Sequence, residues 1–445
     1  MTGRSELAPA PRSRFALPKA SLGVLTPDER ARALTFVRDL LSSPTAPYFE
    51  DGPSRVVRDF VTERAGLELR VDAHANLIVT WPGAAPASKA REASAGRTRS
   101  ARASSRRTAA GRATPSRGPD APTLAFSAHL DHPGFHALGA RKGVHRAAFH
   151  GGVPARFMPG SRVRFHDARD GSACATAMVA SAAVQGDDGI VAELADVRGR
   201  IVRGSFGVFD LPDGVVRGSR LHARVCDDLM GAASILCTLD HAWRTRTESP
   251  LIGVFTRAEE TGFVGCLGLL ESKSLPPDTW VVGLECSPKR STALVGRGPV
   301  LRVGDRQSVF DPEITLELDE AMTRVAARVP EFRRQRALMD GGSCESTAYN
   351  HYGVRAGAMC LALGNYHNCG PAQTIAPEYV DWNDFEGLVA TMIECTRGFG
   401  SGAASGKMRT RLQRIWQREY KRLEDSSARL RAEPSSGRTR RPPHG

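Results

Sequence analysis

Residues 251–266 read LIGVFTRAEETGFVGC, an apolar run followed closely by two adjacent carboxylates, Glu259 and Glu260. A run so short and so apolar reads as a buried strand, and neighbouring side chains of a strand point to opposite faces. A Glu-Glu pair inside it would drive one charge into the core. The pair therefore belongs beyond the strand's carboxyl end. Open α/β sheets bind ligands at that edge, where two adjacent carboxylates can face one cleft in different roles. An isolated Glu-Glu is more often a solvated loop, so the reading depends on what else the chain brings to the same edge.

The rest of the chain repeats the pattern. Helical spacing runs from about Thr26 to Leu41 behind the N-terminal signal TPDE, and a second helix is expected over Ser54 to Ala65. LELRVD, NLIVTW and TLAFSAHLD read as strands. From about Phe135 to Gly218, short β-prone runs such as RVRF, CATAMVAS and IVAELADV alternate with Gly and Asp turns, which predicts a compact all-β unit. The α/β alternation then resumes: LMGAASILCTLDHAW (helix), LIGVF (strand), VGCLGLLES (helix), WVVGLEC (strand), TLELDEAMTRVAARV (strand, then helix), AGAMCLAL (strand) and a last helix near DWNDFEGLVATMIECTR. The expected organisation is a disordered N-terminus over 1–22 and a catalytic α/β domain over 23–135 and 221–400. A β-barrel-like insertion covers 136–220, and a basic tail, partly helical or disordered, covers 401–445.

Charge is unevenly placed. The 445 residues carry a net charge of +13, with nine Lys/Arg against two Asp/Glu between Gly83 and Pro122 and twelve against four between Gly406 and Gly445. The remainder is left at −2, so the basicity belongs to two segments and not to a folded face. Residues 83–121, rich in Ser, Ala, Arg and Gly and without aromatics, read as a disordered basic loop. The tail spaces Leu412, Ile415, Trp416 and Leu423 as a helix would. Its plainer reading is a solvated appendage, and the other is a helix that docks on a partner, on anionic lipid or on nucleic acid. No run approaches the length of a membrane span and the first residues lack an apolar core, so a cytoplasmic location is expected. Nine scattered cysteines without a Cys-x-x-Cys pair read as reduced thiols.

Four further sites place metal-type ligands just after apolar runs. FSAHLD supplies His129, with Asp131 two residues on to accept the imidazole N–H and fix its tautomer. HARVCDDLMGAA supplies Asp227 and Asp228, WVVGLECS supplies Glu285, and LALGNYHNCG supplies His367. Singly each is weak, since Asp-Asp before a helix is usually an N-cap. Together they suit two hydrolytic metals roughly 3.5–4 Å apart, which need a bridging carboxylate, a carboxylate and a His apiece, and open positions.

At these residues the chain resembles the two-metal aminopeptidases of clan MH, most closely the tetrahedral or deblocking aminopeptidases, peptidase family forty-two. The matching stretches are AHLDHPGF, GSFGVFDLPDGVVRGSRLHARVCDDLMG, TRAEETGFVGC, VGLECS, VGRGPVLRVGD, GGSCESTA and GNYHNC, which span most of residues 24–400. The 98 residues from His129 to Asp227 leave room for the family's inserted β domain, whereas the 55 from Glu285 to Asp340 are too few for the lid of carboxypeptidase-like relatives. The resemblance implies a mixed sheet flanked by helices, the zinc-peptidase or phosphorylase-like sandwich, with a small all-β insertion. It implies two divalent metals per chain, zinc first with cobalt or manganese as alternatives, peptide substrates and a homo-oligomer such as a ring or hollow dodecamer. Asp227 matches the bridging ligand, joined in relatives to Asp228 by a cis peptide. His129 and Glu285 match the ligands of one metal, Glu260 and His367 those of the other. Glu259 matches the general base, and Asp131 joins the catalytic set as the partner of His129.

Two positions depart from the family. AHxDE becomes AHLDH, with His132 in place of an acid, and GGTD becomes GGSC, with Cys344 in place of an acid and Glu345 next to it. These leave the implied metal shell intact and bear on substrate recognition, so a deacylase or small-amide hydrolase is the runner-up to an aminopeptidase. A non-catalytic binder of anions or nucleic acid on a hydrolase scaffold is the rival from another class. His136, His150 and His351 read as structural or surface groups.

Overall fold

The computed structural model describes residues 7–19, 21–84, 121–186 and 189–432. An eight-stranded mixed sheet has the order β1-β2-β12-β3-β13-β16-β14-β15. Its left part comprises β1 (Glu68–Val71), β2 (Leu77–Trp81), β12 (Leu251–Thr256) and β3 (Thr123–His129). Its right part comprises β13 (Thr279–Pro288), β16 (Ala356–Leu363), β14 (Val300–Gly304) and β15 (Gln335–Leu338). The central strands β12, β3, β13 and β16 run parallel, with Thr256 opposite His129 and Glu285 opposite Cys360. β12 and β16 are buried along their whole length, as strands covered on both faces must be.

Helices α1 (Pro27–Leu41), α2 (Asp51–Thr62), α3 (Leu229–Thr245), α4 (Val264–Glu271), α5 (Pro312–Arg328), α6 (Glu345–His351) and α7 (Trp382–Cys395) flank the sheet. α1 starts where TPDE predicts: the Thr26 side chain accepts the Glu29 N–H and the Glu29 side chain reaches back to the Thr26 N–H, a capping box. α2 begins and ends about three residues before the predicted span. The stretch TLELDEAMTRVAARV holds no strand; all of it but the last residue, Val329, lies within α5, because Asp311 caps the Glu313 and Ile314 N–H groups and Pro312 opens the helix. The strand expected there is β14, upstream.

β4 (Gly134–Arg141), β5 (Val144–His150), β8 (Ile190–Gly199), β7 (Ala173–Val184), β6 (Arg162–His166) and β9 (Phe206–Phe209) close into a barrel in that order. Phe135, Phe149, Phe165 and Phe209 fill it, each worth about 1.5–3 kcal/mol of burial. The barrel ends earlier than residue 220, because β10 (Val215–Arg217) leaves it to pair with β11 (Arg220–Ala223), which in turn pairs with β17 (Glu378–Asp381).

Residues 7–19 correct the expectation of a disordered start. Arg14 donates its N–H to the Gly214 carbonyl at 2.7 Å, Asp213 donates to Ser13 Oγ, and Phe15 packs into space left by Gly214. Two apolar residues, Phe15 and Leu17, anchor on the core. Most of the basic segment 83–121 lies outside the described residues. Gly402–Gly445 forms a second unit, whose helix α8 spans Ala403–Ala432; residues 433–445 are outside the description. Among the described residues no helix is long and apolar enough to cross a membrane, and all nine cysteines are free.

Candidate metal centre

All the sequence-predicted residues converge at the carboxyl edge of the four parallel strands. β3 ends on His129, β12 runs into Glu259 and Glu260, β13 carries Glu285, and β16 is followed by His367. Asp227 and Asp228 precede α3, joined by a cis peptide. Asp228 is the helix N-cap, its Oδ1 accepting the Gly231 N–H at 3.1 Å, so the bland reading of Asp-Asp holds for the second acid. A Cβ at Gly231 would lie 2.2 Å from Asp228 Oδ2, which is why the third residue of α3 is a glycine. Glu285 lies inside β13, not at its end.

Ligand-type atoms gather within 4.8 Å of one another in three groups: one is His129 with Glu259 and Glu260, and the other two are His129 with Asp227 and Glu285 and His367 with Asp227 and Glu260. Asp227 belongs to the last two. Its Oδ1 is 3.6 Å from His129 Nε2 and its Oδ2 is 3.5 Å from His367 Nε2. Glu260 Oε1 faces His367 Nε2 at 3.1 Å, and Glu259 Oε2 stands 3.9 Å from His129 Nε2. His129 Nδ1 lies 3.1 Å from the Asp131 carbonyl oxygen and 3.5 Å from its carboxylate, so the nearer partner is the main chain and not the side chain expected from the two-residue spacing.

Three buried acids hold these loops by their backbone. Asp131 accepts the N–H groups of Glu259 and Glu260 at 2.9 and 3.1 Å. Glu50 accepts that of Ala258 at 3.0 Å. Glu378 accepts those of Cys226 and Asp227 on one oxygen and of His367 on the other, at 2.6, 3.1 and 2.8 Å. The loops need such holding. Ala258, Phe263, Asn365, His367 and Asn368 all have φ between 50° and 60°, a conformation that costs a non-glycine residue about 1–3 kcal/mol.

The electrostatics are those of an acid-rich cluster out of water. Burial pushes the Glu259 and Glu260 carboxyls up and takes Glu285 to about 8, with neighbouring acids adding to the rise. Burial opposes charging of His129 and His367, yet Glu259 and Asp131 beside the first, and Glu260 and Asp227 beside the second, hold both imidazoles well above their ordinary range. Asp227, buried but between two imidazoles, is held below its usual value. Asp228 Oδ2 and His367 Nδ1 are buried without a hydrogen bond. Surplus buried negative charge with its carboxylate oxygens and imidazole nitrogens gathered within 4.8 Å of one another fits divalent cations, and a donor set of imidazole and carboxylate is the one hydrolytic metals use. The neighbouring thiols Cys226 and Cys286 are pushed far up by burial and by nearby carboxylates, and neither belongs to a ligand-type group among the described residues.

The sequence matches the M42 glutamyl aminopeptidase family over residues 112–376, more than half of its 445 residues. The chain belongs to the M42 family. It is therefore a metallo-aminopeptidase by family, and its fold is shared with solved M42-type enzymes. The Desulfurococcus kamchatkensis aminopeptidase APDkam598 is 16% identical with a TM-score of 0.62, covering 85% of this chain and 98% of its own. The Pyrococcus horikoshii TET1 peptidase, described as assembling into a tetrahedron or a large octahedral shell, is 15% identical at 0.60, covering 82% and 99%. A TET aminopeptidase from the marine sediment archaeon Thaumarchaeota archaeon SCGC AB-539-E09 is 16% identical at 0.61, covering 84% and 99%. No curated protein matches the chain.

Where this M42 chain departs from the family pattern, the structure gives the replacements definite places. His132 is buried; its Nδ1 lies 2.8 Å from the Asp227 carbonyl and its Nε2 3.2 Å from Asn368 Oδ1, so it joins the two ligand loops, and burial lowers it to about 4. Cys344 packs with Phe310 and Ala358. Glu345 accepts from Ser127 Oγ at 3.1 Å, and burial raises it to about 7. His136 and His150 lie tilted against each other, ring centroids 4.1 Å apart, beside Tyr48, while His351 ends α6 at the surface. Sequence reasoning missed Glu50, Glu378 and Gly152. A Cβ on Gly152, in the barrel, would lie 2.8 Å from His367 Nδ1, so only glycine lets the insertion approach this histidine. The one sequence signal for Glu378 is an acid entering a β-prone run.

Proposed function

We propose that the chain is a zinc-dependent aminopeptidase that removes N-terminal residues from peptides, with two cations held by His129, Asp227 and Glu285 and by Asp227, Glu260 and His367. The observation that carries this reading is the sharing of Asp227 between two ligand groups, each with its own imidazole and its own glutamate, with a further carboxylate, Glu259, beside them. Divalent cations in such a site polarise a peptide carbonyl and make water more acidic. Glu259 takes a proton at Oε2 as water attacks the scissile carbonyl, and the same carboxyl returns it to the leaving amine. Asp131 keeps Glu259 and Glu260 in their separate places by holding both backbone N–H groups. Imidazole and carboxylate donors suit zinc and accept cobalt or manganese. By analogy with the assembling TET1 peptidase, the chain forms a homo-oligomer.

Metal content by plasma mass spectrometry tests the ligand assignment. Wild type is expected to carry about two metals per chain, Asp227→Ala close to none, and Glu260→Ala less than wild type. Full metal in Asp227→Ala would overturn it. The deacylase reading rests on Cys344 standing where relatives have an acid. Comparing leucine p-nitroanilide with N-acetyl-leucine separates the two: turnover of the anilide alone supports the aminopeptidase, turnover of the N-acyl amino acid alone the deacylase.

A further inference from the structure

The second unit carries a feature the peptidase chemistry does not use. In α8, Met408, Leu412, Ile415, Trp416, Tyr420 and Leu423 are 37–58% exposed. At 3.6 residues per turn they fall within an arc of about 140°, interrupted by Arg409 and Glu419, while Arg411, Arg414, Arg418, Lys421 and Arg422 share a separate arc of about 100°. Between Ala403 and Ala432 there are nine Lys/Arg against three Asp/Glu, and Arg438, Arg440 and Arg441 follow.

We propose that α8 is an interfacial helix that lies in the headgroup region of an anionic membrane, its apolar arc in the lipid and its arginines against the headgroups. Charge complementarity selects this occupant. Low mean hydropathy, Arg/Lys on one face and Trp, Leu and Ile on the other are properties of helices that lie on membranes without spanning them. A second copy fits poorly, because pairing the apolar arcs would bring together two helices with the same large positive charge. Nucleic acid would use the arginines and leave six apolar side chains in water. With its two basic segments set aside the chain carries −2, so the attraction is confined to those segments.

The test is co-sedimentation of the full-length protein with vesicles of phosphatidylcholine alone or mixed with phosphatidylglycerol, at low and high salt. Variants are Leu412→Ser with Trp416→Ser, and Arg411→Glu with Arg414→Glu and Arg418→Glu. Aminopeptidase turnover and helix content by circular dichroism report that each variant is folded. The expected result is salt-sensitive binding to the anionic vesicles only, weakened on the order of a hundredfold by the arginine reversals and at least about tenfold by the serine pair. Equal binding to neutral vesicles, or none to either, overturns the proposal. So does binding to duplex DNA that the arginine variant loses and the serine variant keeps, or self-association that the serine variant abolishes without any vesicle binding.

Discussion

Glu378 shows how much of the site is made by residues that touch no substrate. Burial takes its carboxyl to about 8 while three backbone N–H donors favour the ionised form that fixes Asp227 and His367 in place. Glu378→Gln replaces one acceptor by a donor and leaves one of those N–H groups unpaired. Metal retention against a chelator should weaken about 10–100-fold, with little change in the circular dichroism spectrum; unchanged retention would mean the loops hold themselves. The meeting of the five ligand-type residues and Glu259 was legible in the sequence because each follows an apolar run or, at Asp227, precedes a helix, and together they exceed what capping alone explains. Glu50 and Glu378 were not, because they act on the backbone N–H groups of Ala258, Cys226 and Asp227, 150 or more residues away, and Gly152 was not, because it acts through space a side chain would fill. His132 was visible as a departure, but its bridge from Asp227 to Asn368 needed the fold.

At the scale of elements, local signals served well where the chain caps its own helices. The Thr26–Glu29 box opens α1, and Glu29 also accepts from His241 of α3 at 2.8 Å. That hydrogen bond, with the Thr26 contacts, holds Glu29 down at about 2 against the opposing effect of burial. A folded value below the ordinary 4.5 means the stabilisation is fully present above pH 4.5 and is lost as pH falls towards about 2. Acid unfolding followed by circular dichroism should therefore show a shallower loss of stability for Glu29→Gln than for wild type over that window. Thr26→Ala should cost about 1 kcal/mol at neutral pH. The start of α5 was misread as a strand because Thr315 and neighbouring Ile314 and Leu316 resemble one, and the Asp311 cap outweighs that preference. β10 was folded into the barrel unit because the sheet it joins is completed by β17, more than 150 residues downstream.

For the whole molecule, the metal centre and its supports all lie within the unit ending at Ser401, and the tail forms a unit of its own. Removing residues 403–445 should leave kcat/KM for leucine p-nitroanilide within about twofold of wild type. A larger loss would tie the tail to catalysis. The α/β architecture and its β insertion were readable from alternating periodicities and from the gap between His129 and Asp227, because both are properties of long stretches. The packing of residues 7–19 was not, since two apolar anchors in thirteen residues make no period. In the proposed reaction Glu259 moves the proton while other residues hold the metals, so metal content and leucine p-nitroanilide turnover measured together on Glu259→Gln separate the two tasks. That variant is expected to carry about two metals per chain, as wild type does, and to turn over roughly 10²–10⁴-fold more slowly. Wild-type turnover in that variant, or undiminished turnover by metal-free wild type, would contradict the proposed reaction.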